Sequence, residues 1–243
     1  VQIHQVKTRF SNSYVIEESD QLLVIDVALR CDGWVLRFVE EQLGRTVSDI
    51  SLVVCTHDDP DHIGGVHALA RAAGAQMGIP HASKRPHLKF LNNPLGSAYK
   101  FATGFREAFR PRSREMYNNR DRLKRYEHVP NHHLNNPVNH RFVVPEHRLK
   151  HNNLLNGFPN WSVLHTPGHS WDSICFFHEQ TRSLVTGDTV LGSGKKGHLV
   201  HPAIYDNPGD LQKTLIRLQQ LDPRTVYPGH GSIFDGEDLL SHL

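Results

Sequence analysis

The chain has 243 residues, 38% of them apolar and 21% charged, with a formal net charge of +2. That supports one well-cored globular domain, or one domain with an insertion, and is too little charge to announce a polyanion partner by bulk electrostatics. No run approaches the roughly 18–20 apolar residues of a membrane helix, and Cys31, Cys55 and Cys175, odd in number and without a CxxC pair, argue against a disulfide framework.

Residues 2–10, 13–18 and 21–26 read as three short strands separated by turn residues, an antiparallel meander. The opening alternates like a strand and lacks the basic-then-apolar layout of a signal peptide, so a cytoplasmic location is expected. Residues 32–43 place Trp34, Val35, Phe38, Val39 and Leu43 on a helical stripe, with Gly44 positioned to end it. Residues 50–55 form a nearly all-apolar, β-branched run, as expected of a strand buried on both faces, and lead directly into Thr56-His57. A second helix follows over residues 66–73, closed by Gly74. This alternation of strand and helix predicts an α/β arrangement.

From about residue 80 to residue 159 the chain turns rich in Asn, His, Arg and Pro and loses clear periodicity, which reads as an insertion. Within it, residues 98–109 suit a helix, with Phe101, Phe105 and Phe109 at four-residue spacing and read as packing residues. Residues 112–127 suit either helix or solvated loop. Strands return at residues 161–165, 173–178 and 183–186. Leu211, Leu215, Leu218 and Leu221 then mark one face of a helix over residues 210–221, before a short strand at 225–227.

Four segments place side chains of metal-ligand type immediately after a strand: His57-Asp58-Asp59-Pro60-Asp61-His62, Thr166-Pro167-Gly168-His169, Gly187-Asp188 and Pro228-Gly229-His230-Gly231. Loops at strand ends can aim short side chains at one point, and imidazole and carboxylate are ligands that first-row divalent ions accept. With 19 histidines in the chain, any one of them alone reads as a surface or capping residue; the ordered set does not. Cys55 reads as a buried strand residue and not as a nucleophile.

In this order, the four segments resemble the successive signature motifs of the metallo-β-lactamase superfamily over nearly the whole chain. The resemblance implies an α/β fold, an αββα sandwich of two mixed sheets flanked by helices, as a single domain over residues 1–243 with the insertion at about 80–159 covering the site. It implies His57, Asp59 and His169 at a first metal position, Asp61, His62 and His230 at a second, and Asp188 bridging both. Asp26 matches an early, structural Asp of that family. One match fails: the family motif has His where this chain has Asp59, and a harder oxygen ligand raises iron or manganese relative to zinc.

The implied cofactors are two divalent metal ions, zinc first, with iron or manganese as alternatives. The implied reaction is hydrolysis of an ester, thioester or lactone bond of a small molecule by hydroxide generated at two cations about 3.5–4 Å apart, with Asp61 orienting the nucleophile or passing its proton. Tyr205, His198 and Lys196, in the segment 191–205, are expected to contact substrate. The insertion carries Lys100, Arg106, Arg110, Arg112, Arg114, Arg120, Arg122, Lys124 and Arg125 against Glu107, Glu115, Asp121 and Glu127. That excess suits an anionic substrate or single-stranded RNA, or else a solvated helix face. The insertion histidines His81, His87, His132, His133 and His140 are expected to be exposed and not ligands. A phosphodiesterase or ribonuclease is the second reading and a di-iron redox or sensor protein the third. The expected partner is a small molecule, with no membrane, nucleic acid not favoured, and a homodimer allowed.

Overall fold

The computed structural model of the chain describes residues 1–83, 93–110 and 144–243. Strands β1 (Gln2–Lys7), β2 (Asn12–Glu18), β3 (Gln21–Ile25), β4 (Ile50–Val54), β5 (Gln76–Pro80) and β6 (His147–Leu149) hydrogen-bond in chain order into one sheet. The first three form the expected antiparallel meander; from β3 to β6 the pairing is parallel. A second sheet runs in the order β14 (Phe234–Asp235), β13 (Thr225–Pro228), β10 (Ser183–Gly187), β9 (Ile174–His178), β8 (Phe158–His165), β7 (Leu154–Leu155). It is antiparallel except where β10 pairs β13 in parallel. A hairpin of β11 (Leu191–Ser193) and β12 (His198–Val200) stands apart.

Strand alternation explains how these sheets stack. Successive side chains of a strand point to opposite faces, and in β4 Leu52 and Val54 join one apolar cluster while Val53 joins another. The first cluster lies between the sheets, bringing Tyr14, Ile16, Leu23 and Ile25 against Phe158, Trp161, Val163, Phe176 and Val185. The second packs Val15, Leu22, Val24 and Val53 under Val35 of α1 (Asp32–Arg37) and Val66 and Leu69 of α3 (Val66–Ala73). On the far side, Cys175, Phe177, Leu184 and Val226 meet Leu211, Leu215 and Leu218 of α5 (Pro208–Gln219). The layers are therefore helix, sheet, sheet, helix, and both sheets are apolar on both faces. All three cysteines are free and buried. Among the described residues, no helix is long and apolar enough to cross a membrane.

Four sequence expectations need correction. The helix expected over residues 32–43 narrows to α1, and Phe38–Gln42 continues as a wider π-type turn in which Leu43 N–H donates to the Phe38 carbonyl at 3.2 Å. The helix of the insertion, α4 (Pro94–Ala108), starts earlier than expected because Asn93 caps it, its side chain accepting from Gly96 N–H at 3.0 Å, with Pro94 at the first turn. Its aromatic stripe is turned outward: Phe101, Phe105 and Phe109 are 77%, 63% and 76% exposed, with Phe105 and Phe109 edge to face on each other and not in the core. The opposite stripe, Thr103 and Glu107, is the buried one. His81 is half-buried rather than exposed. The expectations for residues 112–127 and for His87, His132, His133 and His140 lie outside the described residues, as do Arg112, Arg114, Glu115, Arg120, Asp121, Arg122, Lys124, Arg125 and Glu127.

Candidate metal centre

Parallel pairing sets the site. In the first sheet, Ile25 of β3 lies opposite Val54 of β4, so the residues that follow each strand, Asp26 and the run Thr56-His57, emerge on the same edge. The chain then enters the short helix α2 (Pro60–Ile63), with Asp59 at its N-cap position and Pro60 at its first turn, which puts Asp61 and His62 in that turn. In the second sheet, Gly187 of β10 lies opposite Pro228 of β13, which brings Asp188 and His230 side by side. His169 follows β8.

The seven candidate ligands converge into three overlapping groups whose ligand atoms lie within 4.8 Å of one another: His57, Asp59, His169; His57, His62, Asp188; and Asp61, His62, His230. Around the first position, Asp59 Oδ2 lies 3.3 Å from His57 Nε2 and 3.4 Å from His169 Nε2. Around the second, His230 Nε2 lies 3.2 Å from Asp61 Oδ2, and His62 Nε2 lies 3.7 Å from it. Asp188 divides itself between them. Its Oδ1 is 3.3 Å from His62 Nε2 and 3.4 Å from His230 Nε2, while its Oδ2 faces His169 Nε2 at 3.8 Å.

Hydrogen bonds behind the cluster decide which ring nitrogen faces it. The buried Asp26 carboxylate accepts from Thr56 N–H at 2.7 Å, from the Thr56 hydroxyl at 2.9 Å and from His62 Nδ1–H at 2.8 Å. The Thr56 hydroxyl, having given its one proton to Asp26, accepts from His57 Nδ1–H at 3.0 Å. His169 Nδ1–H donates to the Ile204 carbonyl at 2.7 Å. Each Nδ1 is thereby engaged from behind, so Nε2 is the nitrogen all three rings turn inward and the one they would offer a metal. Asp172 performs a similar service for the motif loop, accepting from Asp58 N–H at 3.0 Å and from the Ser83 and Ser170 hydroxyls.

The electrostatics call for cations. Burial lowers His57, leaving it a neutral imidazole. His230, despite burial that pulls it down, is raised to about 9 by Asp188 and Asp61. His62 is raised well above its ordinary value against the same burial, by Asp26, Asp61 and Asp188. Burial pushes Asp61 and Asp188 up, but the histidines win: Asp61 falls to about 2, and Asp188 lies well below the carboxylate range. Among the described residues, the buried His57 Nε2, His62 Nε2 and Asp188 Oδ1 approach other polar atoms of the cluster without making a hydrogen bond of good geometry. A buried set of imidazole nitrogens and carboxylate oxygens turned toward one another is a donor set that divalent cations fit.

The sequence reading missed one participant. Lys100 of α4 reaches into the first group, its Nζ 2.6 Å from Asp59 Oδ2 and 3.3 Å from His169 Nε2. The spacing of Lys100, Thr103 and Glu107, three and seven residues apart on one helical face, was a signal for it. Tyr205 follows the carbonyl that holds His169 and sets its ring 5.7 Å from Tyr99 of α4. His198 turns elsewhere: its ring stands 4.8 Å from His242, and its Nδ1–H donates to the Leu199 carbonyl. Lys196 is exposed in the hairpin turn, its N–H donating to the Ser193 hydroxyl at 3.2 Å.

Residues 6–230 match the family model described as the metallo-beta-lactamase superfamily. Lactamase-like protein aptB of Emericella nidulans is 24% identical over 225 residues, covering 93% of this chain and 52% of that one. An atrochrysone carboxyl ACP thioesterase of Aspergillus fumigatus is 37% identical over 70 residues, 29% of this chain and 20% of the relative. The chain thus spans about half the length, or less, of these curated relatives. Among solved structures, a metallo-beta-lactamase family protein from Thermus thermophilus has the same fold, with a TM-score of 0.63 and 22% identity, covering 99% of this chain and 75% of that one.

Proposed function

Because the chain belongs to the metallo-beta-lactamase superfamily, a superfamily of metal-dependent hydrolases, we propose that it hydrolyses an ester, thioester or lactone bond of a small molecule at a centre for two divalent cations. In this reading His57, Asp59 and His169 hold one ion, Asp61, His62 and His230 hold the other, and Asp188 spans both. The observation that carries it is the division of Asp188, one carboxylate oxygen toward each group. Divalent cations, when bound there, supply Lewis acidity and a nucleophile at neutral pH.

The chain's own residues supply the rest. Asp61, about one-third exposed and held near pKa 2, is a carboxylate throughout the physiological range. It is therefore an acceptor that orients the attacking nucleophile, and not a proton donor. Tyr205, beside the mount of His169 and against α4, is the best placed of the three expected substrate contacts; His198 and Lys196 retain that role only as members of the neighbouring hairpin. Support for the bond class comes from the thioesterase among the relatives. Zinc is the ion proposed, with iron or manganese as alternatives because Asp59 contributes an oxygen where a nitrogen is usual. The phosphodiesterase reading gains nothing from α4, where Arg106, and Arg110 just beyond the helix, both pair with Glu107.

Metal analysis of the purified chain, followed by assays on a thioester, a lactone, a p-nitrophenyl ester, bis-p-nitrophenyl phosphate and single-stranded RNA, tests the proposal. Two ions per chain and turnover of one of the first three substrates are expected, with both lost in Asp188→Ala. An Asp188→Ala protein that binds as much metal as the parent refutes the assignment.

A further inference from the structure

The cation that α4 brings into the cluster has no part in the hydrolytic reading. We infer that Lys100 is an intramolecular competitor for the first metal position: its ammonium takes the same ligands as the ion and sets the two positions apart in affinity. The inference rests on the reading that His57, Asp59 and His169 hold an ion.

Three observations carry it. The first is shared ligands. Asp59 Oδ2, the atom that His57 and His169 both approach, is the atom to which Lys100 Nζ donates at 2.6 Å, and Nζ is also 3.3 Å from His169 Nε2. A divalent ion bonds a carboxylate oxygen at about 2.0–2.2 Å. An ammonium at hydrogen-bond distance from that oxygen faces the ion at a few ångströms, where like charges repel strongly. The second is asymmetry. Asp61, the carboxylate that belongs to the second position alone, and Asp188, shared by the two, pair only with histidines among the described residues, so the ammonium burdens the first position only.

The third is that Lys100 is mounted. The Thr103 hydroxyl, one turn on, donates to the Lys100 carbonyl at 3.0 Å and accepts from Tyr205 N–H at 3.4 Å. The adjacent Ile204 carbonyl fixes His169. The helix turn that carries the lysine and the histidine therefore hang from one piece of backbone, which sets the root of the Lys100 side chain beside the first position. With a side chain still 23% exposed, Lys100 can withdraw into solvent when an ion arrives. The second position fills first, and the first fills at the cost of the Lys100–Asp59 pair.

Zinc titration of the chelator-treated full chain against a chromophoric competitor tests this, with parent, Lys100→Gln, Lys100→Arg and His169→Ala compared. The parent should show one tight and one weaker zinc, the weaker disappearing in His169→Ala. Lys100→Gln should tighten the weaker site by about two- to fivefold, the worth of a partly exposed ion pair, and leave the tight one unchanged, which also reports a folded chain. Lys100→Arg, which keeps the charge, should bind like the parent. Equal or weaker binding at that site in Lys100→Gln overturns the inference. If no variant, parent included, takes up zinc, iron or manganese, the metal-centre reading itself is what fails.

Discussion

Replacing Asp26 with Asn should damage folding and metal binding together, although Asp26 belongs to none of the three candidate ligand groups. Its carboxylate receives Thr56 N–H on Oδ1 and His62 Nδ1–H on Oδ2, at 2.7 and 2.8 Å, with no exposure to solvent. An amide has one oxygen, so whichever way the substituted side chain turns, its NH2 meets a donor. One charge-assisted bond is lost, worth about 1.5–3 kcal/mol, and one buried donor is stranded at a further 1–3 kcal/mol. The sum, about 2.5–6 kcal/mol, brackets the roughly 3–5 kcal/mol that breaking a buried pair costs. His62 has one escape: it can move its proton to Nε2 and accept from the amide at Nδ1. That relieves the strain but removes the lone pair from the nitrogen facing Asp61 and Asp188, so zinc affinity at the second position should fall about 10–100-fold. Urea unfolding of chelator-treated protein and zinc titration read the two branches separately. An Asp26→Asn protein within about 1 kcal/mol of the parent and with unchanged zinc binding would refute this account.

In the metal-free protein, stability should depend on pH in a defined window. His230 is raised to about 9 in the fold, against about 6.5 unfolded, so its contribution is complete below about pH 6.5 and is lost as pH climbs through 9. Asp61, lowered to about 2 against about 3.9 unfolded, contributes above about pH 4 and loses its contribution as pH falls toward 2. The Tm of chelator-treated protein should therefore be highest between about pH 4 and 6.5; a flat profile from there to about pH 9.5 would contradict the charge balance described. Gly192→Ala should destabilise by about 1–3 kcal/mol, because a Cβ there would lie 1.9 Å from the Ser232 carbonyl oxygen, and that backbone follows His230. Parent-like unfolding and zinc binding in Gly192→Ala would show the hairpin to be freer than its contacts imply.

Most of the scaffold could be read in advance because its signals are local. The run of β4 is apolar on both faces, α3 ends at a Gly74 whose φ of +67° suits glycine, and each ligand segment follows a strand end. The π-type turn after α1 was hidden, since Phe38, Val39 and Leu43 satisfy an ordinary helical stripe equally well. The orientation of α4 was misjudged for a related reason. Periodicity reveals that a helix has two faces, but not that its inner face lies over a charged centre, where Lys100 and Thr103 belong inside and Phe101 and Phe105 outside. The support given by Asp26 and Thr56 is likewise a product of the parallel β3–β4 register, which no single segment displays.

The two candidate positions draw on both sheets: His57 and Asp59, or Asp61 and His62, come from the edge of the first, and His169 or His230 from the second. An ion held there would be a fastener between two layers whose broad faces meet through the apolar seam of Ile16, Leu23, Trp161 and Phe176. Occupancy then governs how tightly one margin of the sandwich is shut. Removing such ions would open that margin and spare the seam, so the molecule should loosen first around the candidate ligands.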